Sequence, residues 1–351
     1  MVIDEAQFIA KRDASFMEAV AKLKKHKLYP GPVLIILATS STVWATQEAA
    51  EQFKGAEMKL ESLNFLEVVR HFENLPVAEI VRIYGAIGGV PAYLDKWDAA
   101  KSFKENICRL VLTPSGALYG EADAVISAEL RELSAYSTIL AAIARGENKL
   151  NDIFHATGFS RAKISVYLKN LAAFNIVEKV VSFETGGWEN AKKGVYQIKD
   201  TFVNFWFKFV YPNMSNLYLL SPEEFYDTYI EKELDAYLER YFREVCTEYL
   251  LILNQMGQLP FAIKRVGTWI GKTGRIDIVA QSEDRRSIIG FCNWDKPMMT
   301  MDMCENMAMA MEQARLTSDD YYLFSATDFE PALQSYVVRD PRFKLINMNE
   351  L

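Results

Sequence analysis

The sequence predicts an α/β multidomain protein, and three observations carry that expectation. The chain opens on a strand–helix–strand order in which both apolar strands end in polar residues, the pattern of a parallel sheet. The middle reads as three amphipathic helices followed by two β-rich runs. The last third reads as one long helix and then a series of strands. At 351 residues the chain has room for two or three domains, each with its own core.

The balance of residues is that of an ordinary soluble protein, 50% hydrophobic and 24% charged. No apolar run approaches the roughly 20 residues of a membrane-spanning helix. The most aromatic stretch, Phe202–Tyr211, carries Asn204 and Lys208 and stops at Pro212. With Asp4 and Glu5 coming at once, the first residues do not follow a basic-then-apolar signal pattern, and no leader is expected. The four cysteines, Cys108, Cys246, Cys292 and Cys304, form no CxxC pair, which points to a reduced, cytoplasmic compartment. A net charge of −7 argues against a protein coated in nucleic acid but leaves room for a local basic patch.

In the first segment, Met1-Val2-Ile3 is a short strand closed by Asp4 and Glu5. Ser15–Lys25 follows as an amphipathic helix, and Val33–Leu37 is a second buried strand ending in Ala38-Thr39-Ser40-Ser41. A strand-end acidic pair is either solvated or positioned to handle a metal and a water. Further on, Gly88-Gly89-Val90-Pro91-Ala92-Tyr93-Leu94 reads, on composition alone, as a loop between helices.

Taken together these segments resemble a P-loop ATPase of the STAND and AAA-like type. Asp4-Glu5 resembles a Walker B motif, whose Asp orients the magnesium shell and whose Glu polarises the attacking water. The resemblance implies that Ser40 is the polar sensor of the γ-phosphate, that Gly89 and Pro91 belong to the lid turn, and that the proline lies against adenine. The GxxxxGK[ST] loop, whose backbone N–H groups and lysine do most of the phosphate binding, does not occur in the 351 residues. The expectation is therefore a remnant or fragment, with no cofactor for this chain and ATP and Mg²⁺ for intact family members. The missing central strand would leave an open sheet edge between the sensor strand and a strand at Glu57–Leu60, a liability towards dimerisation.

The middle reads as helices at Tyr136–Ala144, Leu150–Ala156 and Arg161–Phe174. Ser160 caps the third, and Ile164, Leu168 and Leu171 form its buried face. The β-rich runs Ile176–Phe183 and Gly194–Ile198 complete what resembles a winged helix-turn-helix. Arg161, Lys163 and Lys169 decorate the third helix, while Lys192 and Lys193 sit between the β runs. Residues 134–200 hold nine Lys/Arg against six Asp/Glu, leaving −10 for the remainder of a chain of net −7. That contrast suits a DNA-reading module in an acidic protein; packing against protein is the other use of such a module.

The last third resembles a PD-(D/E)xK nuclease, an α/β restriction-endonuclease-like domain. A helix spans Tyr237–Asn254 with Glu244 on it, Asp277 lies on the strand Gly274–Ala280, and Gly290-Phe291-Cys292-Asn293-Trp294 follows. Family members with an intact site read Gly-Glu-Cys-Lys-Trp there. The resemblance implies that Phe291 and Asn293 replace the second carboxylate and the lysine that the Mg²⁺ chemistry needs. Both are expected on the face of the sheet that carries Asp277, with Phe291 filling the metal's place. The methionine-rich run Met298–Met311 reads as a helix with a pliable face rather than a soft-metal site. His26, His71 and His155 fall in separate segments and form no ligand set.

The expected layout is an ATPase lobe at 1–95, a helical lid or connector at 96–130, a winged helix at 131–200 and a degenerate nuclease-like domain at 201–351. The expected activity is binding without catalysis, to DNA through the winged helix, to a protein partner or to a second copy. The alternative is a fragment of an ATP-hydrolysing, DNA-associated enzyme whose phosphate loop lies upstream of residue 1.

Overall fold

The computed structural model describes residues 1–25, 34–41, 43–53, 55–127, 130, 132–183, 194–271 and 274–350. It is a mixed α/β protein, helical through its first two-thirds and closed by a mixed sheet.

The N-terminal strands are short. β1 (Val2–Ile3) pairs in parallel with β2 (Ile36–Leu37), with α1 (Ala6–Arg12) and α2 (Phe16–Lys25) between them in sequence. α3 (Ala50–Phe53) ends this part. The strand expected at Glu57–Leu60 does not form: residues 55–64 are irregular, and Met58 and Leu60 are exposed. Two charges, Glu57 and Lys59, alternate there with apolar residues that find no sheet to cover.

A run of helices follows: α4 (Phe65–His71), α5 (Val77–Ile87), α6 (Pro91–Leu94), α7 (Phe103–Ile107) and α8 (Glu121–Ser127). α4 begins with a capping box in which Asn64 accepts from the Glu67 N–H and Glu67 accepts from the Asn64 N–H. Next come α9 (Leu133–Ala144), α10 (Leu150–Thr157) and α11 (Arg161–Ala173), then a hairpin of β3 (Val177–Val180) and β4 (Val195–Ile198). The expected order of three helices and two antiparallel strands is present. Ser160 caps α11 by accepting from the Lys163 N–H at 3.2 Å. Ile164, Leu168 and Leu171 are buried, as their i, i+4, i+7 spacing requires.

The chain continues through α12 (Thr201–Phe205), α13 (Met214–Leu217), α14 (Pro222–Tyr229) and the 25-residue α15 (Glu231–Gln255). β5 (Arg265–Ile270), β6 (Arg275–Gln281) and β7 (Ser287–Asn293) form an antiparallel meander. β8 (Met298–Met299) and α16 (Met301–Ala314) lead to β9 (Asp320–Ser325), which joins β7 in parallel. β10 (Asp328–Phe329) pairs with β8, and α17 (Pro331–Arg339) leads to β11 (Phe343–Asn347), parallel to β9. The spatial order is β11-β9-β7-β6-β5.

Alternation along these strands feeds two cores. Ile278, Ala280, Ile288, Tyr322 and Phe324 join α15 in the larger core. Val279, Ile289 and Leu323 face the other way, onto α16 and α17. The larger core draws residues from Phe65 through Met348, on both sides of positions 95, 130 and 200. α15 is the reason. Its inner side meets the sheet at Cys246 and Tyr249, which touch Cys292 and Phe324, and the earlier helices at Leu238 and Tyr241. α5 lies so close that a Cβ on Gly85 would stand 2.4 Å from Leu238 Cδ2. The Tyr237 hydroxyl donates to the Gly85 carbonyl at 3.0 Å.

Candidate functional site

Asp277 sits where the sheet departs from regular pairing. Gly267 pairs with Val279 but Trp269 pairs with Ile276, so Asp277 and Ile278 together oppose Thr268. The Thr268 hydroxyl donates to the Asp277 carbonyl at 2.8 Å. This β-bulge re-aims the carboxylate towards α15. There its Oδ1 accepts from Arg243 Nε at 2.9 Å and from Arg275 Nε at 3.0 Å. Its Oδ2 accepts from the Cys292 N–H at 3.1 Å. Asp277 is 5% exposed, so the two guanidinium groups supply the compensation a buried carboxylate needs.

The same corner holds Glu239, one helical turn before Arg243. Its carboxyl lies above the usual range because burial disfavours the charge and Asp295 repels it; Arg275 and Arg243 oppose that shift. Cys246, the next turn along α15, hydrogen-bonds with Cys292, and burial keeps its thiol well above the usual range. Burial and the neighbouring Arg243 lower Arg275 from the usual guanidinium value.

The other residues expected here lie elsewhere. Phe291 packs with α16 and α17 in the second core, on the sheet face opposite Asp277. Asn293 closes the turn after β7, donating to the Lys296 carbonyl at 3.2 Å and to Ser325 Oγ at 3.1 Å. Cys292 is the residue of that segment which meets Asp277. The expected common face is therefore corrected by the bulge, which turns the aspartate and leaves Phe291 behind. Glu244 is exposed and paired to Arg240 at 2.8 Å, away from Asp277. Mg²⁺ takes carboxylates and waters in near-octahedral order. The donors here do not fit it, since both oxygens of Asp277 are engaged and Phe291 and Glu244 do not converge on it. Among the described residues no group of three His, Cys, Asp or Glu side chains is arranged to hold a metal ion.

At the N-terminal strand ends the structure does bring expected residues together. The Ser40 N–H and hydroxyl donate to the Glu5 carboxylate at 3.1 and 2.9 Å. Gln7, 2% exposed, donates to the same carboxylate at 2.6 Å and accepts from the Thr39 hydroxyl at 2.7 Å. The Gln7 bond, then the Ser40 bonds, hold Glu5 below the usual carboxylate range. Glu5 adopts the left-handed backbone, φ 46°, a conformation rare outside glycine and asparagine. Asp4 is exposed and accepts from the Glu5 N–H. Asp4, Glu5 and Ser40 thus offer oxygen donors of the type Mg²⁺ takes, at one end of two parallel strands.

Gly89 and Pro91 belong to a different neighbourhood. The Gly89 carbonyl accepts from the Leu63 N–H at 2.8 Å, and a Cβ on Gly89 would stand 1.8 Å from the Leu63 carbonyl oxygen. Only glycine fits there. Pro91 is exposed at the first position of α6, where its missing N–H costs nothing.

Arg161, Lys163 and Lys169 are all exposed on α11. Arg161 donates to Asn151 at 2.5 Å and lies over the Phe154 ring at 4.2 Å, while Lys163 lies over Phe159 at 4.4 Å. Lys192 and Lys193 fall outside the described residues. No described helix is long and apolar enough to cross a membrane.

Sequence reasoning missed Arg243, Arg275 and Glu239. The signal was present in spacing: Glu239, Arg243 and Cys246 recur at one-turn intervals along α15, and Arg275 precedes Asp277 by two strand positions.

Comparisons with known proteins find similar chains without assigning a role. Residues 206–309 match a family described as archaeal and bacterial proteins of unknown function. An uncharacterised protein of Methanocaldococcus jannaschii is 27% identical over 335 residues, covering 93% of this chain and 74% of the relative. A Walker-type ATPase of Pyrococcus abyssi aligns over 59% of this chain and 62% of its own, at 17% identity and a TM-score of 0.38. A protein of Vibrio cholerae aligns over 90% of this chain and 65% of its own, at 10% identity and a TM-score of 0.25. The chain thus spans less than two-thirds of the length of either solved structure.

Proposed function

We propose that this chain is a DNA-binding protein on an ATPase-related scaffold, whose nuclease-like last third binds without cutting. The observation that carries the non-catalytic part is the closure of Asp277 by Arg243, Arg275 and the Cys292 N–H. A carboxylate with three of its roughly four acceptor positions taken and two guanidinium groups against it is poorly placed to orient a hydrated cation. The DNA-binding part draws support from α11, which buries Ile164, Leu168 and Leu171 and turns Arg161, Lys163 and Lys169 to solvent. A helix of that kind ahead of a hairpin is the geometry of a winged helix laid in a groove.

The test has two arms. Plasmid and linear DNA incubated with the protein in Mg²⁺ and in Mn²⁺ stay intact. Cleavage that an Asp277→Ala variant loses would overturn the non-catalytic reading. A labelled duplex is shifted by the wild type in a gel and not by Lys163→Glu with Lys169→Glu; an unchanged shift assigns the helix trio to protein packing.

The meeting of Glu5 and Ser40 at two parallel strand ends favours a second reading, in which the chain is part of a protein that hydrolyses ATP. The coding sequence upstream of residue 1 separates the two: an in-frame GxxxxGK[ST] there favours the second. Calorimetric titration of this chain with Mg-ATP is expected to be flat under both, because no such cradle is among its residues; micromolar binding would overturn both.

A further inference from the structure

A second basic surface lies outside the sites already described. The edge strand β5 and the turn between β6 and β7 border an open cleft of about 540 Å³. Phe183, Lys264, Arg265, Ser282, Glu283 and Arg285 line it. Its cations are held differently. Arg265 is fixed from two sides, donating to Gln281 Oε1 at 3.0 Å and lying over the Phe183 ring at 4.7 Å. Lys264 pairs with Glu283 at 2.7 Å, but both side chains are more than half exposed. Such a pair contributes little and exchanges readily for another anion. Arg285 is exposed on a left-handed backbone, φ 69°, and its guanidinium has no partner among the described residues. Neighbouring Arg286 is already taken by Asp284 and the Phe261 ring. The cleft therefore offers three cations, one of them an unengaged guanidinium, and one carboxylate to be displaced, within a chain of net charge −7.

Its position gives it an occupant. Ser182 Oγ accepts from the Ile270 N–H at 3.1 Å, which fastens the end of the β3 segment to the β5 edge. From Phe174 at the end of α11 to Phe183 in the cleft is a short stretch of chain. Fully extended, it spans at most about 32 Å at roughly 3.6 Å per residue. Phosphates on one DNA strand recur about every 3.4 Å of helix axis, and a bound duplex therefore presents a continuous row of negative charge across that distance.

We propose that this cleft is a second DNA-contacting surface, which takes the phosphate backbone of the same duplex that α11 engages. The proposal rests on the DNA-binding reading above. Lys264 and Arg285 supply the charge and Arg265 the fixed fork, and Glu283 gives up Lys264 when a phosphate arrives. The contact is with backbone and not with bases, so it adds affinity and salt dependence without sequence preference.

The test is fluorescence anisotropy with a labelled duplex over a series of salt concentrations. It compares the wild type, Lys264→Ala with Arg285→Gly, Glu283→Gln, and Lys163→Glu with Lys169→Glu. The cleft substitutions are on exposed side chains, and glycine suits the backbone at 285, so folding is preserved. Each lost phosphate contact flattens the log–log salt slope by about 0.9, so the cleft double variant is expected to be shallower by about 2, equally on unrelated duplexes. Glu283→Gln, which frees Lys264, is expected to tighten binding. If the cleft variants keep the wild-type slope while the α11 variant loses binding, the cleft proposal falls and the DNA-binding reading stands. A wild type that binds no duplex at low salt overturns both.

Discussion

Arg243 on α15 and Asp277 on β6 meet Nε to Oδ1 at 2.9 Å, with side chains only 13% and 6% exposed. The pair fastens the longest helix to the sheet and uses the carboxylate that a cation would require. Breaking a buried pair from one side strands the other charge and costs about 3–5 kcal/mol. Arg275 remains on Asp277 in Arg243→Ala, so a loss near the lower end, about 3 kcal/mol, is expected by urea denaturation. Arg275→Ala should cost clearly less, since that side chain is 43% exposed. Equal losses would mean that the two guanidinium groups share the burden equally.

Installing at Phe291 and Asn293 the Glu and Lys of the pattern this segment resembles should give no nuclease, for a geometric reason. Phe291→Glu places a carboxylate among the apolar residues of the second core, and Asn293→Lys removes the hydrogen bonds that close the turn after β7. The double variant is expected to lose about 2–4 kcal/mol of stability and to gain no Mg²⁺-dependent cleavage. Thermal unfolding with a plasmid assay checks both, and a stable, cutting variant would show that the strand can turn over.

This substitution also marks where sequence and structure part. The elements themselves were legible: α11 and the strand that carries Asp277 fall close to their expected bounds, because apolar period and turn residues agree there. The face on which Asp277 lies was not legible, since one extra residue in a strand changes the side without changing the pattern. Arg243 and Arg275 were invisible as partners for a related reason. A surface-type residue on a helix declares itself buried only once the strand that covers it is placed. At the N-terminus the resemblance singles out Glu5 and Ser40 but not their hydrogen bond, which only the paired strands reveal, whereas Gly89 and Pro91 lie in another neighbourhood.

Glu248 is expected to matter for stability although no motif contains it. Its carboxylate accepts from the Phe65 N–H at 3.0 Å and the Leu66 N–H at 3.1 Å, meeting the free donors and positive end of α4. Glu248→Ala leaves both donors under-satisfied and should cost about 1–3 kcal/mol, with Glu248→Gln recovering part of it. Urea midpoints for the two variants give the comparison; no difference from wild type would mean that water replaces the carboxylate.

The Glu239 carboxyl, raised by burial and by Asp295, sets a pH dependence. The folded state holds this proton more tightly than the unfolded chain does. Its contribution is therefore complete below the ordinary glutamate value of 4.5 and is lost as pH rises through the raised folded value. Glu239→Gln should be more stable than wild type at about pH 7, with the gain gone at about pH 4. Denaturant midpoints at the two pH values test the sign, and a gain that persists in acid would assign the effect to packing.

The reach of Glu248 back to Phe65, across 183 positions of sequence, has a consequence for how the protein is made. A ribosome adding roughly 5–20 residues per second needs on the order of ten to forty seconds to travel from one to the other. Throughout that interval the apolar faces of α4 and α5 have been synthesised without the helix that covers them. The early helices are then clients for chaperones, and a message that stalls before α15 leaves a chain ready to aggregate rather than a smaller folded protein.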